Sequence, residues 1–203
     1  MAERYLETVL TPAVRAAQEH YYKRSYPRFD AAGSTDQLGV SEAAFLGERD
    51  SFYLATVTEN GWPYVQHRGG PVGFLRVLGP STLGFADYGG NRQLVSAGSL
   101  TRNDRVALFA VDYPNRTRLK ILGHATVLDA REHPDLVAAF APDAGHSAKV
   151  ERLFRIEVLS YDWNCPKFIT QRFTRADVES VVEPLRNRIV ELEALLAKRT
   201  DPS

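Results

Sequence analysis

The chain has a single cysteine, Cys165, among its 203 residues, so no internal disulfide can form and no cysteine-rich metal site exists. Lysine is scarce, 5 residues against 20 arginines. An excess of either charge is also missing, because 25 basic residues balance 25 acidic ones. That balance counts against a general nucleic-acid or polyanion binder, which needs surplus positive charge. No run of about 18 apolar residues occurs, so no membrane partner is expected. The start, "MAERYLETVLTPAV", carries charges among its apolar residues and does not read as a signal peptide. A reducing cytoplasm is the expected compartment.

Familiar catalytic signatures are absent too. There is no Gly-x-Ser-x-Gly, no His-Glu-x-x-His, no Walker phosphate loop and no Gly-x-Gly-x-x-Gly. The histidines His20, His67, His124, His133 and His146 form no pair at metal-ligand spacing. Neither a metal centre nor a cysteine nucleophile is expected.

What is present is a soluble-protein composition with 44% hydrophobic residues and a β-rich middle. Thr11-Pro12 reads as an N-cap followed by proline at the first helical position, and Ser41 as the cap of a second helix, "EAAFLGER". "SFYLATVT" and "WPYVQHR" flank Asn60-Gly61, a strong hairpin signal. "GFLRVL" and "TLGFA" flank Gly79-Pro80, and "NRQLVSAGSL" reads as a short helix. "RVALFAVD", "RTRLKILGHATVL" and "ERLFRIEVLSY" supply further strands. Short turns between them argue for an antiparallel barrel over a parallel α/β sheet. The expected fold is mainly β (α+β), a six-stranded antiparallel split β-barrel with flanking helices and a C-terminal helix. Its expected domains are a helical extension (1–40), the barrel (41–173) and the C-terminal helix (174–203).

In that last segment Val178, Val182, Leu185, Ile189, Leu192 and Leu196 follow a heptad seam, with Pro184 expected to restart the helix. The seam can pack on the chain's own barrel or on a partner subunit.

Three stretches carry candidate chemistry. In "NRTRLKILGHATV", Arg116, Arg118, Lys120 and His124 share one strand face, which is either solvated or meets an anion. In "FADYGGNRQL", a strand ends in Gly-Gly and Asn91-Arg92 opens a helix. That is either a plain N-cap or a phosphate site, with Arg92 as a two-pronged partner. In "PYVQHRGG", Gln66 and Arg68 share a face with Tyr64, while His67 points the other way. Gly69 and Gly70 either form a barrel corner or let a flat ligand approach the backbone.

The order of these features, with "FYLATVTENGWPYVQHR", "TLGFADYGGNRQL" and "NDRVALFAVDYPNRTRLKILGHATVL" as carriers, resembles the FMN-binding split barrels of the pyridoxamine 5'-phosphate oxidase-like superfamily. The resemblance covers roughly residues 45 to 130, and "DWNCPKFI" (162–169) is similar to the ending of a bacterial branch. It implies a homodimer with FMN in a groove between subunits. By position, Gln66 falls where the oxidase has a phosphate-binding arginine, with His67, Arg68 and Gly69 following. Arg68 is the candidate substitute for that arginine. The oxidase's Ser-Arg-Lys turn matches Asn91, Arg92 and Gln93, and its later flavin-contacting glutamine falls on Arg118. Ala86 and Asp87 fall at the strand end that borders the cofactor, and Trp163 matches a C-terminal aromatic.

Pro71 stands near the position of the oxidase's substrate-phosphate lysine, and the oxidase's Arg-Leu-His-Asp-Arg ending is replaced by a helix. Pyridoxamine phosphate is therefore not the expected substrate. The expected function is FMN-dependent two-electron transfer with a small molecule, with NAD(P)H as a candidate reductant and His67 as the one candidate acid or base. The alternative is a non-enzymatic flavin or haem carrier, store or sensor, with His67 or His124 as axial ligand.

Overall fold

The computed structural model describes residues 3–29, 35–90, 92–140, 149–163 and 166–200. They fall into two units, Met1–Asp112 with Thr117–Cys165, and Tyr113–Arg116 with Pro166–Ser203. The first unit opens with α1 (Glu3–Val9), α2 (Pro12–Tyr22) and α3 (Val40–Gly47). Thr11 caps α2 as expected, its Oγ1 accepting from the Val14 N–H at 3.4 Å. α3 starts one residue before Ser41: Gly39 is its N-cap, and the Glu42 carboxylate accepts the Gly39 N–H at 2.8 Å.

Seven strands follow, not six: β1 (Ser51–Val57), β2 (Pro63–Gly69), β3 (Leu75–Gly79), β4 (Thr82–Tyr88), β5 (Arg105–Asp112), β6 (Thr117–Asp129) and β7 (Val150–Trp163). They form one antiparallel sheet in the order β2-β1-β5-β6-β7-β4-β3. The expected total of six fails because each of the seven strand-like segments forms a strand of its own, "GFLRVL" giving the short, bulged β3 that pairs with β4. Asn60-Gly61 does make the β1–β2 hairpin, with Gly61 at φ 87° and Ser51 to Val57 facing Gly69 to Pro63.

β2 and β3 are opposite edges of this sheet, yet only residues 70–74 separate them in sequence. Such a link spans at most about 20 Å. Seven flat strands would put the edges roughly 29 Å apart. The sheet must therefore curl, although its edges do not pair with each other. Side chains fill the resulting interior. Phe52 on β1 meets Phe85 on β4 edge-to-face at 5.1 Å, and Phe85 stacks on Phe154 of β7 at 4.7 Å. Leu54, Leu83, Leu119, Ile121, Ile156 and Val158 are fully buried around these rings.

The second glycine of "QHRGG" has an internal cause. A Cβ on Gly70 would lie 2.6 Å from Cγ of Phe74, and the Gly70 N–H donates to the Asp50 carbonyl at 2.9 Å. The short link closes under the Phe74 ring, which stacks on Phe52.

α4 (Val95–Leu100) and α5 (Pro134–Phe140) flank the sheet. α4 begins later than the sequence predicts: Leu94 is its N-cap, so residues 92–94 form a turn ahead of it, and Asn91 lies outside the described residues. In the second unit, α6 (Arg175–Thr200) runs unbroken through Pro184 and does not restart there. Thr174 and Asp177 cap it reciprocally, at 2.8 Å and 3.1 Å.

Gly70→Ala is expected to lower stability by about 1–3 kcal/mol, because both Cβ and Cγ of Phe74 stand in the way and cannot swing clear. Urea denaturation measures it; an unchanged midpoint would show that the link tolerates a side chain.

Candidate functional site

β2 presents two different faces. Tyr64, Gln66 and Arg68 turn inward and are half-buried, whereas Val65 and His67 point outward and are exposed. This is the alternation expected of a strand with one face on the core. Ser96, buried on α4, donates its hydroxyl to Oε1 of Gln66 at 3.2 Å.

Arg68 extends across the mouth of the curled sheet. Its guanidinium lies over the Phe154 ring at 4.9 Å and reaches Oδ1 of Asp87 on β4 at 2.5 Å. The other Asp87 oxygen accepts from Nε of Arg152 on β7 at 2.8 Å, and Arg152 Nη2 donates to Glu151 at 2.9 Å. One carboxylate, 9% exposed, thus holds two arginines from two other strands. Burial pushes the Arg68 guanidinium down from its usual value, and the Asp87 charge opposes that shift. Partial burial also works against Arg152, but the hydrogen bonds to Asp87 and Glu151 hold it above its usual value. Nε of Arg68 is buried with no hydrogen-bond partner among the described residues.

A cleft of about 70 Å³ opens here, lined by Gln66, Arg68, Asp87, Arg92, Ser96 and Arg152 among others. Arg92 and Leu94 both adopt left-handed backbone, φ 60° and 54°, which non-glycine residues rarely do. That turn brings the exposed Arg92 to the rim. Three arginines and one aspartate therefore face a space of phosphate size, a site suited to a small anion.

Of the residues singled out from sequence, Gln66, Arg68, Asp87 and Arg92 converge on this cleft. The others lie elsewhere. His67 packs edge-on against Tyr53 on the outer face, and its ring would meet a Cβ placed on Gly69 at 3.2 Å. Ala86 turns into a second small core with Phe140, Val150 and Leu153. Gln93 is exposed on the turn before α4. Arg118 lies over Phe109, 5.6 Å from its ring centre. Trp163 donates its indole N–H to Glu42 at 2.7 Å and meets Phe45 edge-on, so it clasps β7 to α3.

The basic face of β6 also resolves locally. Lys120 pairs with Asp162 at 2.5 Å and His124 with Asp104 at 3.0 Å, while Arg116 precedes the strand in left-handed backbone. No group of three metal-ligating side chains occurs among the described residues. No helix among them is long and apolar enough to cross a membrane.

Sequence reasoning missed Arg152 and Ser96. Arg152 sits in "VERLFRIEV", where alternation marks a strand but nothing marks which strand end it reaches. Only the β4–β7 register, which sets Asp87 opposite Arg152, brings them together.

The family model of pyridoxamine 5'-phosphate oxidase matches residues 42–161, more than half of the chain and all of the curled sheet but the last two residues of β7. The chain belongs to that family. Among solved structures it is similar to a candidate pyridoxamine 5'-phosphate oxidase of Lactobacillus delbrueckii, at 23% identity and TM-score 0.48, covering 64% of this chain and 96% of the other. An FMN-binding protein of Syntrophomonas wolfei gives 13% identity and TM-score 0.48, covering 62% and 86%. Group A Streptococcus HupZ gives 12% and 0.47, covering 67% and 100%. No curated protein sequence matches the chain.

Arg68→Met is expected to cost about 2 kcal/mol, less than the roughly 3–5 kcal/mol for breaking an isolated buried pair, because Arg152 still neutralises Asp87. Chemical denaturation reads this; a loss near zero would mean that the bridge contributes nothing to holding β2 against β4.

Proposed function

We propose that the chain is an FMN-binding flavoprotein that exchanges two electrons with a small molecule. The observation that carries this reading is the arginine-lined cleft between β2, β4, β7 and α4, inside the residues that match the family. The side chains fit a phosphate monoester. Arg92 offers an exposed guanidinium, Ser96 and Gln66 offer polar atoms, and the buried Nε of Arg68 lacks a partner among the described residues. Arg92 and Ser96 are the proposed direct phosphate contacts, since Arg68 and Arg152 already share Asp87. Gln66 supports the turn through Ser96. Bound flavin would supply the redox chemistry, and the protein would orient it and tune its charge.

The size of the cleft supports a second element of the reading, a homodimer. A whole small-molecule ligand typically needs about 300–1,000 Å³, far more than the 70 Å³ found here. The flavin ring must therefore lie beyond the cleft, where a second copy can cover it. Trp62, Val65 and Tyr53, exposed by 71%, 62% and 39%, leave an apolar surface around the β1–β2 hairpin for such a copy. Outward-facing His67 and Arg118 are then candidates to meet the flavin or the partner, and Trp163 is left with a structural role.

The purified protein is expected to be yellow and to release FMN on denaturation. A colourless protein with no thermal shift on adding FMN would overturn the reading, and a Soret band would replace flavin with haem. Arg92→Ala is expected to weaken FMN by about tenfold or more while leaving riboflavin binding unchanged, as loss of a charge-assisted phosphate contact requires. Equal loss for both ligands would remove Arg92 from the phosphate site. Anaerobic mixing of the loaded protein with NADH or NADPH tests the reductant, read as bleaching of the flavin band.

A further inference from the structure

The Asp87 carboxylate sits between two arginines of the cleft. Its two carboxylate oxygens each receive a different arginine, Oδ1 from Arg68 at 2.5 Å and Oδ2 from Arg152 at 2.8 Å. Both arginines line the cleft, as does Asp87 itself. A carboxylate bridging two guanidiniums uses the same donors that would grip a phosphate oxygen. Glu151 adds a further negative charge by taking Nη2 of Arg152. Of the three arginine charges facing the cleft, two are thus answered from within, leaving one net positive charge. Of these three arginines, Arg92 alone has no ion-pair partner among the described residues.

We propose that Asp87 is an internal competitor for the bound anion, a residue that sets how strongly this cleft selects ligands bearing a phosphate. This rests on the flavin reading above and goes beyond it. The carboxylate keeps Arg68 and Arg152 ordered when no ligand is bound, and it also lowers the attraction left for a phosphate dianion. The same contact therefore stabilises the fold and restrains phosphate affinity.

The test uses the full chain as wild type, Asp87→Asn and Glu151→Gln, each titrated with FMN, with riboflavin and with inorganic phosphate, folding being checked by circular dichroism. Asp87→Asn keeps the shape and removes the charge. It is expected to tighten FMN by about tenfold, one charge-assisted contact's worth, with riboflavin unchanged. Glu151→Gln, at a half-exposed position, is expected to act in the same direction by a smaller factor. If FMN and riboflavin shift together, or if FMN alone weakens, Asp87 is not a competitor. If the wild type takes neither flavin, the flavin reading fails. The competitor role is then read from phosphate alone, which must raise the melting temperature of Asp87→Asn more than that of wild type. An equal rise overturns it. If Asp87→Asn does not fold, an unchanged FMN-to-riboflavin ratio in Glu151→Gln overturns it by itself.

Discussion

The fold depends on the shortness of one connection. Residues 70–74 join the two edges of a seven-stranded sheet, so the edges must come near each other whatever else the chain does. Backbone pairing does not close the gap. Aromatic packing and charge close it instead, through Phe52, Phe74, Phe85 and Phe154 and through Arg68 reaching Asp87. A site built at that seam inherits residues from strands far apart in the sheet order. This is why β2, β4 and β7 can all contribute to a cleft of phosphate size.

Burying two arginines and an aspartate carries a desolvation cost that the ion pairs alone need not recover. Two features offset it. The Arg68 guanidinium lies over a stacked ring pair, whose π faces favour a cation. Asp87 also has a donor for each oxygen, so neither is stranded. A hydrophobic plug would hold the seam as well or better. Charge at this place is therefore more readily explained by the anion proposed for the cleft than by stability.

Much of the fold was legible because its signals are local. Asn60-Gly61 fixes a hairpin, the period-two pattern of "SFYLATV" fixes which face is buried, and Thr11-Pro12 fixes a helix start. The strand-like segments were legible as well, "GFLRVL" of the short, bulged β3 among them; only the total of six fell one short of the seven strands that form. The site was legible where the relevant residues lie on one strand. Gln66 and Arg68 share a face by alternation alone, and Arg92 follows from its turn. Arg152 was not, since its role comes from a pairing with a strand some 65 residues earlier. The glycines of "QHRGG" carried an ambiguous signal. Gly70 answers to the Phe74 ring, a contact that composition and spacing do not reveal.

The clasp between Trp163 and Glu42 gives the molecule an optical consequence. The chain has only two tryptophans, and they occupy opposite surroundings. Trp62 is largely in water beside the hairpin, while Trp163 is packed on Phe45 with its N–H held by a carboxylate. Emission from the first reports whatever covers the β1–β2 hairpin. Emission from the second reports whether the end of β7 is still seated on α3. Covering of the outer face and loosening of the sheet's end would thus be separable by colour in one unlabelled sample.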